Sequence, residues 1–353
     1  MAGTTPKMGF NSYHTLTGEQ TYGGTPHLVT SPKYPIIEGG DGLVKTMDVV
    51  PIKSVSGVGI MQQHQIHIGA AGPINQEMSF QDFGRFFHAF AGQVEADGAA
   101  APWDAYYVPT RNPYPYGVAT LRDDTLYSYD GCIMRTLGLK YSDGGTLDLS
   151  TDWFGKSEAT PADSAATGST VVIEPIKASH MIACSSHGIS LLNQVREMEI
   201  NIDLGMDGEH WPGGTATGRG RPRRRSPLTV EIMLTLEFSA EVYEQQGPTG
   251  LLKKWHDNEA GVFVVEWNNG GAAAAESEFL VYCPVVKVHG EPHVVDGPGV
   301  TIATIRLVAE NGTISATDAT IGGINGNTVA AYTNAPVLIR VSDDTDPATF
   351  TTS

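Results

Sequence analysis

The sequence is short of charge, and most of the charge it has is negative. Charged residues make up 17% of the 353 residues, and 39 acidic against 22 basic residues give a formal net charge of −17. A protein that binds duplex DNA tightly neutralises phosphates with Lys and Arg. The excess of acidic residues therefore argues against a DNA-binding protein of this kind. Uncharged polar residues must therefore cover much of the surface, which suits a protein that buries part of itself against other copies.

Cysteine is also scarce. Only Cys132, Cys184 and Cys283 occur, and they lie far apart. None belongs to a C-x-x-C pair or has the His spacing of a zinc site, so we expect reduced thiols in the core. The chain also lacks a nucleophile with an oriented base, an acid/base pair and a phosphate-binding loop. These absences predict a protein that is not an enzyme and has no catalytic residues, metal or cofactor.

Long apolar runs are missing as well. No run reaches the length of about 18 residues that a membrane-spanning helix needs. The first residues lack the charged start and apolar stretch of a secretory signal. We therefore expect that the protein folds in a cytoplasm and does not associate with a membrane.

What the sequence contains instead is a series of short β-prone segments bounded by Gly, Pro and Asp. In the two clearest segments, residues 196–205 and 228–238, apolar and polar residues alternate with the period of a strand that is buried on one face. Such segments are typical of an antiparallel sandwich or barrel.

Two short helices are predicted to interrupt the strands. The first runs from a cap at Ser79 to Gly92 and carries four Phe residues at helical spacing, which we expect to pack on a sheet. The second is predicted near residues 249–256. The four Phe residues are Phe80, Phe83, Phe87 and Phe90.

In both halves of the chain the predicted order of elements is strand, strand, helix, strand, strand. When the closing strands of the two halves are aligned, Cys132 matches Cys283. This order predicts a tandem duplication, with two similar β-rich segments of independent origin as the alternative. The predicted fold is mainly β, with two tandem antiparallel β-sandwich or barrel domains, each flanked by one short α-helix. The predicted segments are an N-terminal arm at 1–33, a first domain at 34–155, a linker at 156–169, a second domain at 170–310 and a C-terminal surface extension at 311–353.

Several segments, read in chain order, carry a family resemblance. They are GISLLNQVREMEINIDLGMDG, LTVEIMLTLEFSAEVYEQ, VFVVEW and FLVYCPVVKVHG in the second half, and DGCIMRTLGLKYSDGGTLDLSTDWFG in the first. Together they resemble the tail tube proteins of long non-contractile tailed bacteriophages, whose fold is shared by the inner tube of type VI secretion. The resemblance is a pattern of strands and a helix over roughly residues 43–310.

The resemblance implies sheets that join edge to edge in a ring, and rings that stack into a channel for genome delivery to the host. Relatives with one such domain form rings of six, so it implies a pseudo-sixfold ring of three of these chains, with a hexamer as the alternative. It also implies tape measure, tail terminator and distal tail proteins as partners. DNA is expected to pass through the lumen without specific binding, and the protein to lie in the virion tail after assembly in the host cytoplasm.

Five carboxylates alternate away from the apolar side of the two clearest strands. In a tube they would form an acidic channel wall to which passing DNA does not stick, and a solvated outer face is the alternative. They are Glu197, Glu199, Asp203, Glu231 and Glu237.

Residues 206–227 form a Gly-rich loop with five arginines. We predict that this loop docks on an acidic surface of the neighbouring ring, with a plain solvated loop and a DNA contact as alternatives. The arginines are Arg219, Arg221, Arg223, Arg224 and Arg225.

A second class of function is a virion decoration or receptor-binding β-sandwich. In that interpretation, exposed aromatic side chains of the insert at residues 98–117 would bind carbohydrate. The candidates are Trp103, Tyr106, Tyr107, Tyr114 and Tyr116.

Overall fold

Alternating apolar and polar residues form antiparallel strands in both halves of the chain in the computed structural model. The mainly β fold class is confirmed. The structure describes residues 12–19, 22–23, 32–36, 42–53, 60–97, 101, 103–109, 112–122, 125–159, 171, 174–207, 220–237, 250–270, 277–290, 293–295, 302–314, 332–344 and 346–350.

Ten strands and one helix lie before residue 160 in the described ranges. The strands are β1 (Tyr13–Gly18), β2 (Lys33–Pro35), β3 (Val44–Lys53), β4 (Ile60–Glu77), β5 (Glu95–Asp97), β6 (Trp103–Tyr107), β7 (Tyr116–Arg122), β8 (Thr125–Ser142), β9 (Leu147–Gly155) and β10 (Ser157–Ala159), and the helix is α1 (Gly84–Ala91).

The later strands in those ranges are β11 (Met181–Ser186), β12 (Ile189–Ser190), β13 (Val195–Asp203), β14 (Thr229–Glu237), β15 (Gly261–Asn268), β16 (Glu278–Val288), β17 (His293–Val295), β18 (Ile302–Glu310), β19 (Gly312–Ile314), β20 (Tyr332–Ala335) and β21 (Leu338–Asp343). The second helix, α2, is Leu251–His256.

One antiparallel sheet, which we call the main sheet, runs through both halves of the chain. Its strand order is β3, β4, β9, β8, β13, β14, β18, β17. At its centre β8 of the first half pairs with β13 of the second, from Ser142 opposite Glu197 to Thr136 opposite Asp203. The halves are therefore joined by a backbone ladder.

Both halves also contribute to one core. On β13 and β14 every second side chain is buried, as the alternation predicts. Phe87 of α1 stacks on Phe279 of β16 at a centroid distance of 5.5 Å, and Trp267 of β15 lies 6.4 Å from Tyr141 of β8. The predicted division into two domains stays a prediction. Strand pairing and core side chains cross the boundary between the halves.

The first helix carries only two of the four predicted Phe residues, Phe87 and Phe90, because it starts later than predicted, although all four are buried. Phe80, Phe83, Phe87 and Phe90 are all buried, and burying each ring stabilises the fold by about 2 kcal/mol. The helix begins at Gly84, since Asp82 has a φ of 66° that interrupts a helix.

Ser79 does not cap the helix. Its Oγ accepts a hydrogen bond from the Gln81 N–H at 3.3 Å, within the turn that precedes the helix. At the other end Gly92 has the left-handed φ of 79° that terminates a helix, as predicted.

The cysteine prediction is confirmed, because Cys132, Cys184 and Cys283 are buried and free. The prediction of a surface extension does not describe β21. This strand lies between β16 and β6, and its residues Leu338 and Ile339 are fully buried. The C-terminal segment thus supplies an interior strand.

Candidate assembly surfaces

The five predicted carboxylates share one face of the main sheet. On β13, Glu197, Glu199 and Asp203 are exposed and alternate with buried residues. On β14, Glu231 and Glu237 are partly exposed and alternate in the same way. Directly opposed residues of an antiparallel pair lie on the same face, so the β13–β14 register brings all five together.

Cations neutralise the β14 part of this face. Arg306 of β18 donates to Glu231 at 2.5 Å. Arg196, at an irregularity in β13, donates to both Asp143 and Glu237. These pairs are half-exposed, so solvent screens them and they add little to stability.

The β13 carboxylates accept hydrogen bonds from neutral donors. Asn201 donates a neutral hydrogen bond to Glu199 at 2.7 Å, and the Gly205 N–H donates one to Asp203 at 2.8 Å. Within the described ranges, Glu197, Glu199 and Asp203 form no ion pair. Lys140 of β8 lies opposite Glu199 on the same exposed face, so the centre of the main sheet carries three carboxylates with one cation beside them.

The arginine loop is partly fixed on its own chain. Arg225 forms an ion pair with Asp207 at 2.7 Å, and Arg221 donates to the carbonyl of Pro113 at 3.1 Å. Arg224 is half-buried, and burial lowers the pKa of its guanidinium. Arg223 is exposed, and Arg219 lies outside the described residues.

A contact that the sequence did not indicate holds the N-terminal arm against this loop. The Tyr22 hydroxyl donates to the Gly220 carbonyl at 3.0 Å. Next to it, the buried Glu19 carboxylate accepts backbone hydrogen bonds from Gly23 and Gly131, each at 2.8 Å. Nothing in the sequence around Glu19 distinguishes it from a surface carboxylate, because its partners are backbone groups.

Glu19 predicts a pH dependence of stability. Burial raises its pKa from 4.5 to about 7, and the two backbone hydrogen bonds only partly oppose this. Between these pH values the folded state holds a proton that the unfolded state has lost, so stability falls as pH rises from about 4.5 to about 7. Linkage gives a loss of about 2 to 3 kcal/mol.

The measurement is the urea unfolding free energy of wild type and Glu19→Gln at several pH values. Gln does not titrate, so the difference between the two curves isolates Glu19. Burial also lowers the pKa of His88 to about 4, but this residue is common to both proteins. Parallel curves across this window would show that Glu19 ionises normally.

The aromatic residues of the insert are mostly inside the protein. Tyr106, Tyr107 and Tyr116 are buried, and the Tyr116 hydroxyl lies 2.8 Å from His88 Nδ1. Trp103 and Tyr114 are only partly exposed. The receptor-binding alternative therefore lacks the exposed aromatic platform on which it depended.

Two absences apply to the described ranges. They hold no helix with the length and apolar character needed to cross a membrane. They also hold no cluster of three or more His, Cys, Asp or Glu side chains suited to a metal ion.

The family model described as phage tail tube protein matches residues 15–317. This range includes every strand of the main sheet and both helices. No significant match was found among curated proteins.

Proposed function

Since the chain belongs to the phage tail tube protein family, we propose that it self-assembles into stacked rings that form the tube of a phage tail and deliver the genome. The membership makes it a structural protein of the virion tail. The relation to type VI secretion stays a prediction.

The observation that carries the proposal is the main sheet itself. On β13 and β14 one face is apolar and covered and the other is polar and exposed, and the main sheet ends in β3 and β17, each of which pairs with one strand in the described ranges. An open edge is a template for another strand, and a ring removes such edges by pairing them. A closed ring of these sheets would present the exposed face along one continuous wall.

In this proposal the exposed face lines the channel. Glu197, Glu199 and Asp203 then place unneutralised carboxylates along the path of the DNA, whose phosphates they repel. DNA passes without being held, and no specific base contact is needed. The alternative is that the face points outward to solvent.

The proposed ring contains three chains. Each half contributes four adjacent strands to the main sheet, so one chain supplies two similar units and three chains supply six. A hexamer of whole chains would contain twelve units. Tape measure, tail terminator and distal tail proteins are the proposed partners, and assembly in the host cytoplasm is part of the same proposal.

Electron microscopy of the purified chain tests the function. Tubes with a lumen, and a mass of three chains per ring from mass spectrometry of isolated rings, are the expected results. Discrete monomers at all concentrations would contradict self-assembly, and six chains per ring would contradict the stoichiometry alone.

The arginine loop predicts an effect on stacking. Replacing Arg219, Arg221, Arg223, Arg224 and Arg225 with Ser removes the cations proposed to contact the next ring. We expect tubes at least severalfold shorter by microscopy, while single rings still form. Tubes of normal length would contradict the stacking role.

Matched pairs separate stacking from folding. Arg221→Ser/Arg225→Ser removes the two intrachain contacts, which should cost about 1 to 2 kcal/mol of subunit stability. Arg219→Ser/Arg223→Ser leaves those contacts and removes the same charge. Shortening caused by the second pair without loss of stability assigns the effect to the interface between rings.

A further inference from the structure

The N-terminal arm and the arginine loop meet at one point of the subunit. The Tyr22 hydroxyl donates to the Gly220 carbonyl at 3.0 Å. Next along the loop, Arg221 donates to the carbonyl of Pro113 in the insert at 3.1 Å. The arm and the insert together hold this part of the loop against its own subunit.

Glu19 fixes the position of Tyr22. This residue is 3% exposed, and its two carboxylate oxygens accept from the N–H groups of Gly131 on β8 and of Gly23, each at 2.8 Å. The Glu19 N–H donates to the carbonyl of Pro115 in the insert at 2.9 Å. One carboxylate thus ties the arm to β8 and closes the turn that contains Tyr22.

The ring of Tyr22 lies directly against the backbone of β8. At Gly131, which has a φ of 59°, a Cβ atom would lie 2.9 Å from Cε2 of the ring and 2.8 Å from Cβ of Lys156. The Lys156 ammonium lies 5.8 Å from the centre of the same ring, within the range of a cation–π contact. The ring keeps these contacts only while the arm stays on β8.

The groups around Glu19 compensate its charge poorly. Asp130 of β8 disfavours the ionised form, and Lys156 favours it by less than burial opposes it. An ionised Glu19 is therefore more stable where water reaches it. The other groups nearby keep their charge between pH 5 and 8, because burial raises the pKa of the phenols and the thiol and a guanidinium stays protonated. They are Tyr22, Tyr114, Cys132 and Arg221.

We infer that Glu19, Tyr22 and Gly23 form a latch on the arginine loop, which is closed when the Glu19 carboxyl is protonated and opens when it ionises. Burial raises the pKa of Glu19 in the closed latch from 4.5 to about 7, so the closed state keeps a proton that the open state loses between these pH values. The latch is therefore fully stable below about pH 4.5 and weakens as pH rises to about 7. This inference rests on the proposed role of the loop in stacking and adds the regulation of that role.

Hydrogen exchange of free subunits tests the latch. Two latch amides, Gly23 and Gly131, donate to Glu19, and two loop amides, Asp207 and Arg225, are bonded within the arginine loop and its base. Between pH 6 and pH 8 the equilibrium constant for opening should rise about tenfold, because the closed carboxyl loses its proton near pH 7. Protection factors, which correct for the intrinsic pH dependence of exchange, should fall about tenfold at the latch amides and about threefold at the loop amides. In Glu19→Gln, which stays neutral, neither set should change with pH.

Tyr22→Phe separates the two steps. It removes the hydroxyl that holds Gly220 and leaves Glu19 in place. The latch amides should therefore keep their pH dependence, while the loop amides should be weakly protected at both pH values. Tyr127→Phe changes an exposed tyrosine of β8 and is the matched control, which should behave as the unmodified chain does.

The outcomes that overturn the latch are specific. Equal changes with pH at the latch amides of the unmodified chain and of Glu19→Gln would show that Glu19 does not control the arm. A change at the latch amides that leaves the loop amides unaffected would show that the arm does not hold the loop.

Tube growth gives a second readout. Followed by light scattering, growth should be severalfold faster at pH 8 than at pH 6 for the unmodified chain, slow at both for Glu19→Gln and fast at both for Tyr22→Phe. Growth of the unmodified chain at the same rate at both pH values would overturn the regulation of stacking. Because exchange is measured on free subunits, failure to form tubes at any pH would contradict the proposed function and leave the latch itself supported.

Discussion

Replacement of Arg340 with Met is expected to lower the free energy of unfolding of the subunit by about 3 to 5 kcal/mol. Arg340 is only 1% exposed and lies on the interior strand β21. Its guanidinium forms ion pairs with Glu278 and, at 3.3 Å, with Glu266. Without it, the carboxylate of Glu278, which is 3% exposed, would lose its cation inside the protein.

The cause of this cost is an uncompensated buried charge. A buried ion pair contributes little when both partners are compared with apolar residues, but removal of one partner leaves the other charge without compensation. The variant Arg340→Met/Glu278→Gln removes both charges, and Asn268, whose amide already donates to Glu278 at 3.4 Å, can still reach a Gln carbonyl. We expect the double variant to recover at least half of the loss.

Urea unfolding of the unassembled subunit, followed by tryptophan fluorescence, measures both variants. The single variant should show a lower midpoint with an unchanged slope. A loss below about 1 kcal/mol for Arg340→Met would mean that water reaches Glu278. A double variant no more stable than the single one would assign the effect to packing of the arginine side chain.

Arg340 also shows where the sequence was insufficient. The segment PVLIRV reads as a strand, but an arginine in its middle favours an exposed position. The side chain is buried because Glu278 on the neighbouring strand β16 and Glu266 on β15, one strand further, neutralise it. Pairing between β16 and β21 is a long-range event, and no local pattern reports it.

The strands with strict alternation were predictable because one buried face imposes a period of two on the residues. β13 and β14 follow this period. The same alternation predicted that all five carboxylates lie on one side of the two strands. Phe87 and Phe90 of α1 were predictable because a helix buried on one face repeats its apolar residues about every 3.6 positions. The start of α1 was not, because the left-handed conformation of Asp82 depends on surrounding structure.

For the proposed acidic face, the residues could be predicted from the sequence, but most of their contacts could not. Alternation identifies which side chains share a face, but pairing with Arg306 or Arg196 depends on which strands become neighbours. The pairing of β8 with β13, which joins the halves, also has no local signature. The duplication prediction pointed to two units and did not predict their ladder.

Reversal of charge on β13 is expected to turn the proposed channel from a surface that releases DNA into one that holds it. Glu197→Lys/Glu199→Lys/Asp203→Lys changes three exposed side chains that form no ion pair in the described ranges. The variant loses the Gly205–Asp203 hydrogen bond and places a lysine opposite Lys140, which should cost about 1 to 2 kcal/mol, too little to prevent folding or ring formation. Each ring of three chains would then carry nine new lysines facing the lumen.

The expected result is measured as binding of duplex DNA by assembled tubes at several salt concentrations. Unmodified tubes should show no binding at about 50 mM salt. The variant should bind, and the logarithm of its binding constant should fall with the logarithm of salt concentration with a slope of about −3 or steeper. This slope corresponds to about −0.9 for each phosphate neutralised, with three or more contacts.

A matched variant decides whether position or net charge is responsible. Glu174→Lys/Asp257→Lys/Glu259→Lys changes the charge by the same amount at exposed residues outside the main sheet, and it also removes the surface ion pairs of Asp257 with Lys253 and of Glu259 with Lys254. If the exposed face of the main sheet lines the lumen, only the β13 variant holds DNA threaded through tubes, and nuclease leaves a protected fragment that scales with tube length. If both variants bind equally and nuclease removes all of the DNA, binding is on the outer surface and the face does not line the channel. An acidic wall and a closed ring are thus linked, because carboxylates on β13 can act on the genome only where the main sheet surrounds it.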